Sequence, residues 1–258
     1  MTRASDTEAV YAPETAQEQW MLHYGAVWGS HEWREGAVIP ISRTWNDGEK
    51  SRFALEGTAP ASDPDAVWRL IEKSERTSRA TYIGVGVLGA RPTTGRGRAT
   101  DVIGLPALFI DADTSDGCHA PSSDGRPHPT RAQIDELIAA CPWGPPTCIL
   151  DSGGGLHAYW TLTEPLVTVG EGGASGRDLL RRWDAWWTRA AARIGVAWDK
   201  GVASDAARVL RPAGSFNKKA AAVPVTVVDS ALGRRYYAEE IDGYLLSWHV
   251  PPELLPRQ

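Results

Sequence analysis

The chain has 258 residues, a formal net charge of −5, 42% hydrophobic and 23% charged residues, an ordinary globular composition that suits one large domain or two joined lobes. Its longest bulky uncharged run, Val102 to Ile110, is far short of a membrane span, and its polar, acidic N-terminus has no apolar core of a secretory signal. Three cysteines, Cys118, Cys141 and Cys148, give neither a disulfide framework nor a CxxC pair, which points to a reducing cytoplasm.

Residues 1–18 lack periodicity and read as a loose tail or an early helix. Asp63-Pro64 before Val67, Leu70 and Ile71 predicts an N-capped helix with Pro at its first position. The β-branched alternation of 81–88 predicts a strand, the Gly/Arg/Thr-rich 90–100 a loop, and the apolar run 102–113 follows. Residues 114–129 form another loop, and Thr130 caps a helix to about Ala140. Segments 147–151 and 156–162 are strands joined by Ser152-Gly153-Gly154-Gly155 as a hairpin. A long amphipathic helix spans about Arg177 to Ile194, its Trp183, Trp186 and Trp187 reading as core, and 222–228 is a further strand. Irregular mixing of strands and helices predicts an α+β class with a mainly antiparallel sheet.

The net charge argues against nucleic acid, but its distribution does not. Residues 86–100 carry Arg91, Arg96 and Arg98 with no acid, and residues 206–222 carry Arg208, Arg211, Lys218 and Lys219 with none. Only five of the 27 basic residues are Lys; Arg is the better bidentate phosphate ligand, though a GC-rich genome gives the same bias.

Three segments carry chemistry. Asp111 and Asp113, at i and i+2 on a strand, project from one face at the end of a buried run, where a divalent cation would offset the cost of burying anions. A lone pair of this kind more often marks the start of a loop, where Asp is common. Ser152, Gly153, Gly154 and Gly155 suit an anion nest of backbone N–H groups with His157 on the adjoining strand; a tight hairpin alone would also need the glycines. Arg208 and Arg211, three apart, are expected on one helix face, with a turn at Gly214 presenting Ser215, Asn217 and Lys219 to a polyanion. Asp199 ends an apolar stretch upstream and offers a third carboxylate.

Taken in order, these segments resemble the archaeo-eukaryotic primase superfamily, in its prim-pol branch found in plasmid and phage replication proteins. That family carries a strand ending in DxD or DxE, a Ser-Gly-x-Gly-x-His strand turn, and an Asp upstream of R-x-x-R-x-P-G-[ST]-x-N-x-K. Here the order and spacing match over about residues 80–225. The Pro-Gly of the family falls on Ala213-Gly214, with Pro212 one place early.

The resemblance implies a two-lobed primase-polymerase core, residues 19–245, whose RRM-like antiparallel sheet carries the active site, with 246–258 as a C-terminal linker. It implies a DNA-templated nucleotidyltransferase that makes and extends primers in phage or plasmid replication, within a bacterial cytoplasm. Asp111, Asp113 and Asp199 would hold two divalent cations, Mg²⁺ or Mn²⁺. Ser152, Gly153, Gly154, Gly155, His157, Arg208, Arg211, Asn217 and Lys219 would hold the triphosphate of an NTP or dNTP. Arg91, Arg96 and Arg98 are candidates for a single-stranded DNA template groove, and a helicase, fused or separate, is the expected companion. The resemblance and the longer spacing favour Asp199 over Asp205 as third ligand, Asp205 reading as a helix cap. Replacing Asp111 or Asp113 by Asn is expected to relieve like-charge repulsion.

Two other readings compete. LFIDADT also satisfies the D-x-D-x-[TV] signature of haloacid-dehalogenase-type phosphatases, with Asp111 as nucleophile and Asp113 as general acid; this leaves the other two segments unexplained. A replication-origin binding module without chemistry would have no use for three carboxylates. Cys118, His119, His128, Cys141 and Cys148 match no standard zinc spacing, so zinc stays open, and Cys141 and Cys148 read as core.

Overall fold

The structure is a computed structural model that describes residues 15–47, 50–93, 95–117, 122, 125–219 and 221–247. Among these residues the elements run α1 (Ala16–Val27), β1 (Val38–Asp47), β2 (Lys50–Pro60), α2 (Pro64–Thr77), β3 (Ala80–Gly84), β4 (Val87–Leu88), β5 (Val102–Asp113), α3 (Arg131–Ala139), β6 (Cys148–Asp151), β7 (Gly155–Leu166), α4 (Gly173–Arg193), β8 (Val209–Leu210), β9 (Phe216–Asn217), β10 (Val223–Pro224), β11 (Thr226–Ser230) and α5 (Ala238–Ser247). One sheet takes the order β11-β6-β7-β5-β4-β1-β3-β8 with β2 on β1, and β9 and β10 form a separate ribbon. Every pairing of these strands is antiparallel. The α+β class with a mainly antiparallel sheet is therefore what the chain adopts. No described helix is long and apolar enough to cross a membrane.

Helix starts follow the capping chemistry. Asp63 accepts from Ala66 N at 2.8 Å with Pro64 at the first position, and Thr130 and Gln133 cap α3 reciprocally. An equivalent Thr15–Glu18 box starts α1 at Ala16, so helix begins inside the segment 1–18.

The strand expected over 81–88 is broken in two, and the break has a cause. Val85 N donates to Arg208 O at 3.0 Å instead of continuing the ladder, and a Cβ at Gly86 would lie 2.5 Å from Ala206 O. The interruption lets β3 pair with β8 while β4 pairs with β5. Similarly, 222–228 is split at Val225, which exchanges backbone bonds with Gly214 and Ser215. Gly214 has φ +84°, and a Cβ there would sit 2.1 Å from Ala16 O, so the turn abuts the start of α1.

Successive side chains of a strand point to opposite faces, and β7 shows what covers each. Tyr159 meets His23 of α1 at 5.2 Å between ring centroids, whereas Trp160 meets Trp183 of α4 at 5.1 Å. The Trp stripe is core, as its spacing implies: Trp183, Trp186 and Trp187 pack with Trp143 and Trp160, and Trp183 Nε1 donates to Phe109 O at 2.8 Å. Trp198 lies nearly parallel on Trp187, centroids 5.5 Å apart and planes at 10°, and is 9% exposed. Trp198→Ala should cost about 3–5 kcal/mol in urea unfolding, the range for emptying a buried aromatic site.

Candidate active site

Strand β5 delivers its two aspartates beside the hairpin strand β7, with Asp111 opposite His157 and Asp113 opposite Gly155. His157 Nε2 lies 3.4 Å from Asp111 Oδ1, and an Arg208 guanidinium nitrogen donates to Oδ2 at 2.7 Å. Asp111 is 21% exposed and His157 only 2%. Burial pushes the Asp111 carboxyl up, but the hydrogen bond and charge of His157, then the charge and hydrogen bond of Arg208, outweigh it. The carboxyl stays well below the usual carboxylate range. This overturns the expectation that like-charge repulsion dominates at Asp111.

Asp111, Asp113 and Asp199 line one small cleft together with Ala112, His128, Ala197 and Trp198. Asp199 reaches it because Trp198 is anchored on Trp187 and Ala197 N donates to Pro127 O at 2.8 Å. His128 faces the same cleft, a position sequence reading considered only for zinc. Among the described residues no group of three His, Cys, Asp or Glu side chains is gathered closely enough to be a preformed metal cluster. The donor set of the cleft carboxylates is hard oxygen, which suits Mg²⁺ or Mn²⁺. Cys141 and Cys148 are buried and free, with burial raising both thiols above their ordinary range, so they behave as core residues; Cys118 and His119 lie outside the described residues.

The glycine turn and the basic run are joined. Asn217 Nδ2 donates to Ser152 O at 3.1 Å, and Asn217 Oδ1 accepts from Lys219 N at 3.2 Å. Ser152 N closes the hairpin on Gly155 O, and Thr114 donates to Gly154 O. One expected nest donor, Gly153 N, is engaged by Asp151 Oδ1 at 2.8 Å.

The helix expected at Arg208–Arg211 is not formed. The two arginines flank the short strand β8 (Val209–Leu210), and along extended backbone residues three apart face opposite ways. Arg208 turns to Asp111, and Arg211, 8% exposed, lies over the Tyr82 ring at 5.4 Å with Nε unpartnered. Lys218 points elsewhere, donating to Glu75 O in the last turn of α2 and to Ser78 O just past its end. Asp205 caps no helix either: Oδ1 accepts from Ala207 N at 3.0 Å in a turn, and Oδ2 pairs with Arg96 at 2.8 Å. Of the template candidates, Arg91 and Arg98 are exposed and Arg96 is the one held by Asp205.

No sequence-family profile matches the chain, and no curated protein does. Among solved structures it is similar to the AEP domain (PP-N190) of the cyanophage S-2L primase-polymerase, with a TM-score of 0.56 at 18% identity over 90% of this chain and 100% of that one. The catalytic domain of primase RepB′ in complex with initiator DNA gives a TM-score of 0.47 at 11% identity over 88% and 93%. Primase RepB′ gives 0.48 at 10% identity over 89% and 62%. On the first of these, the chain has the fold of an AEP primase-polymerase domain.

A depressed carboxyl contributes stability that is present above its unfolded value and is lost as pH falls toward its folded one. With chelator present, Asp111→Asn should therefore melt below wild type at pH 7, and the gap should narrow below about pH 4, near the unfolded Asp value. Melts between pH 7 and pH 3 check both parts.

Proposed function

We propose that the chain is a DNA-templated primase-polymerase, extending primers by in-line attack on the α-phosphate of an incoming NTP or dNTP. The observation that carries this reading is the convergence of Asp111, Asp113 and Asp199 on one cleft, with His157 and Arg208 on Asp111. The AEP fold supplies the context. We assign the cleft to one half of a two-lobed core, on the β5–β7 part of the sheet.

The 3′-oxygen of the primer end attacks the α-phosphorus, a new P–O bond forms, pyrophosphate leaves and the hydroxyl proton passes to solvent. Asp111, Asp113 and Asp199 are the residues that would hold Mg²⁺ or Mn²⁺. Such ions, when bound, supply charge neutralisation at the attacking and leaving oxygens. Arg208, held on Asp111, is placed to exchange that carboxylate for a phosphate oxygen. Arg211, a nearly buried cation with no carboxylate bound to it among the described residues, and Lys219 serve the triphosphate, as do Ser152 and the Gly153, Gly154 and Gly155 turn that Asn217 braces. His157 steadies Asp111 from behind. Catalysis is positioning and electrostatics, without a covalent intermediate.

The phosphatase reading gives no role to His157, Arg208 or the glycine turn, although the first two sit on its nucleophile and the third adjoins. The non-catalytic reading leaves Asp113 and Asp199 without purpose. Incubation with single-stranded DNA, Mg²⁺ or Mn²⁺ and labelled NTPs or dNTPs separates the three: elongated products and pyrophosphate support the proposal. Phosphate release from a simple ester, or DNA binding alone, opposes it.

Asp199→Asn should lose primer synthesis and any stabilisation by Mn²⁺. Asp205→Asn keeps the acceptor for Ala207 N and loses only the part-exposed ion pair with Arg96, about 0.2–1 kcal/mol, and should remain active. Gel assays and melts with and without Mn²⁺ compare the two; a well-folded, inactive Asp205→Asn protein would reverse the assignment.

Replacing Arg96 and Arg98 together by Ala should weaken template binding and flatten its dependence on salt, because fewer counterions are released. Fluorescence anisotropy over a salt series reads the slope, and an unchanged slope removes this loop from the template path.

A further inference from the structure

The part of the sheet made by β2, β1, β3 and β8 turns one face to α2 and the other away from it. A Cβ at Gly57, the partner of Ile41, would lie 3.1 Å from Leu70 of α2, and Arg43 donates to Thr77 Oγ1 of the same helix at 3.5 Å. Alternation then sends Ser42 and Thr44 the other way, together with their cross-strand partners Leu55, Phe53 and Tyr82. Arg211 joins them: it follows Leu210, the partner of Ile83, and its guanidinium lies over the Tyr82 ring at 5.4 Å.

Two side chains set the chemistry of this face. Phe53 is 44% exposed, its ring centroid 6.1 Å from that of Tyr82. A single exposed ring is ordinary on a protein surface, but beside this one stands a cation that the fold leaves unused. Arg211 is 8% exposed with Nε buried and unpartnered, and among the described residues no carboxylate or hydrogen-bond acceptor meets its guanidinium. Buried polar groups of this kind are rarely left unpaired. No acid stands on the face among Ser42, Thr44, Phe53, Leu55 and Tyr82 to offset that charge. An open ring near a desolvated guanidinium matches a nucleotide unit, whose base stacks while its phosphate answers the cation. A base within a duplex is stacked on both sides, so the matching ligand is unpaired.

We propose that Phe53, backed by Tyr82, is a stacking platform for an unpaired base of the template strand. The choice of template over free nucleotide rests on the primase-polymerase reading. In that reading Arg211 serves the triphosphate, and the strand order sets Tyr82 between Arg211 and Phe53. Phe53 is then left for the strand with which the nucleotide must pair. Because every base has a π-face, the platform holds template without reading its sequence.

The test is fluorescence anisotropy of the full chain over a salt series, without metal or nucleotide. Two labelled probes of equal length are compared, a thymidine homopolymer and a strand of abasic sites. Wild type should bind the thymidine strand more tightly. Phe53→Ala should weaken that binding about 5- to 150-fold, the equivalent of one stacked base. It should leave the abasic strand and the salt slope unchanged, since a ring releases no counterions. Phe53→Trp should restore affinity, whereas Phe53→Leu, apolar but without a π-face, should not. Should Phe53→Ala fail to fold, the contrast between Phe53→Leu and Phe53→Trp carries the comparison. Unchanged affinity of the folded variants for thymidine, or an equal loss on both probes, overturns the proposal. So does a loss confined to labelled dNTP in equilibrium dialysis, which would give the ring to the nucleotide's own base. A wild type that binds single strands through Phe53 yet extends no primer refutes the nucleotidyl-transfer reading and leaves the platform standing as a single-strand site.

Discussion

An aspartate at the end of a buried strand has to be kept charged by something. In this protein Arg208 and His157 do so for Asp111, and much of the architecture follows from bringing them there. Strand β7 must pair with β5 in the register that sets His157 opposite Asp111. The pass over residues 80–88 must break at Val85–Gly86, so that β8 can approach and Arg208 can reach the same carboxylate from another direction. Moving the β5–β7 register by one residue would turn His157 to the α4 face and leave Asp111 with Arg208 alone.

The other two carboxylates are seated differently from each other. Asp113 continues the strand, whereas Asp199 is exposed on a short loop whose position depends on Trp198 lying against Trp187. A rigid, charge-compensated aspartate is thereby combined with an accessible one in one cleft. This suits a site that must accept a large polyanion and release another.

The chemistry-bearing residues were more legible in the sequence than the strand geometry that unites them. Asp111, Asp113, His157 and the Ser152–Gly155 turn stand out because strand periodicity and glycine clustering are local signals, and β5 and β7 lie where alternation and apolar runs placed them. The Arg208–Arg211 segment misled because alanines upstream favour a helix while tertiary pairing with β3 makes a short strand. The hairpin β1–β2 and helix α5 were not foreseen, since 38–60 and 238–247 lack clean patterning and owe their form to what they pack on. The packing of His23 gave no signal either, since only the fold lays α1 against β7, with the His23 ring on Tyr159 and the Ala213 amide on its Nδ1.

The parallel indoles of Trp187 and Trp198 have an optical consequence. Two chromophores stacked face to face couple their excited states, and one of them is the residue directly before Asp199. Any ligand that draws the Asp199 loop inward will change their overlap and with it the near-ultraviolet circular dichroism and emission of the protein. The fold therefore carries an unlabelled spectroscopic probe at the rim of its own cleft, usable with ions or nucleotides one at a time and without waiting for turnover.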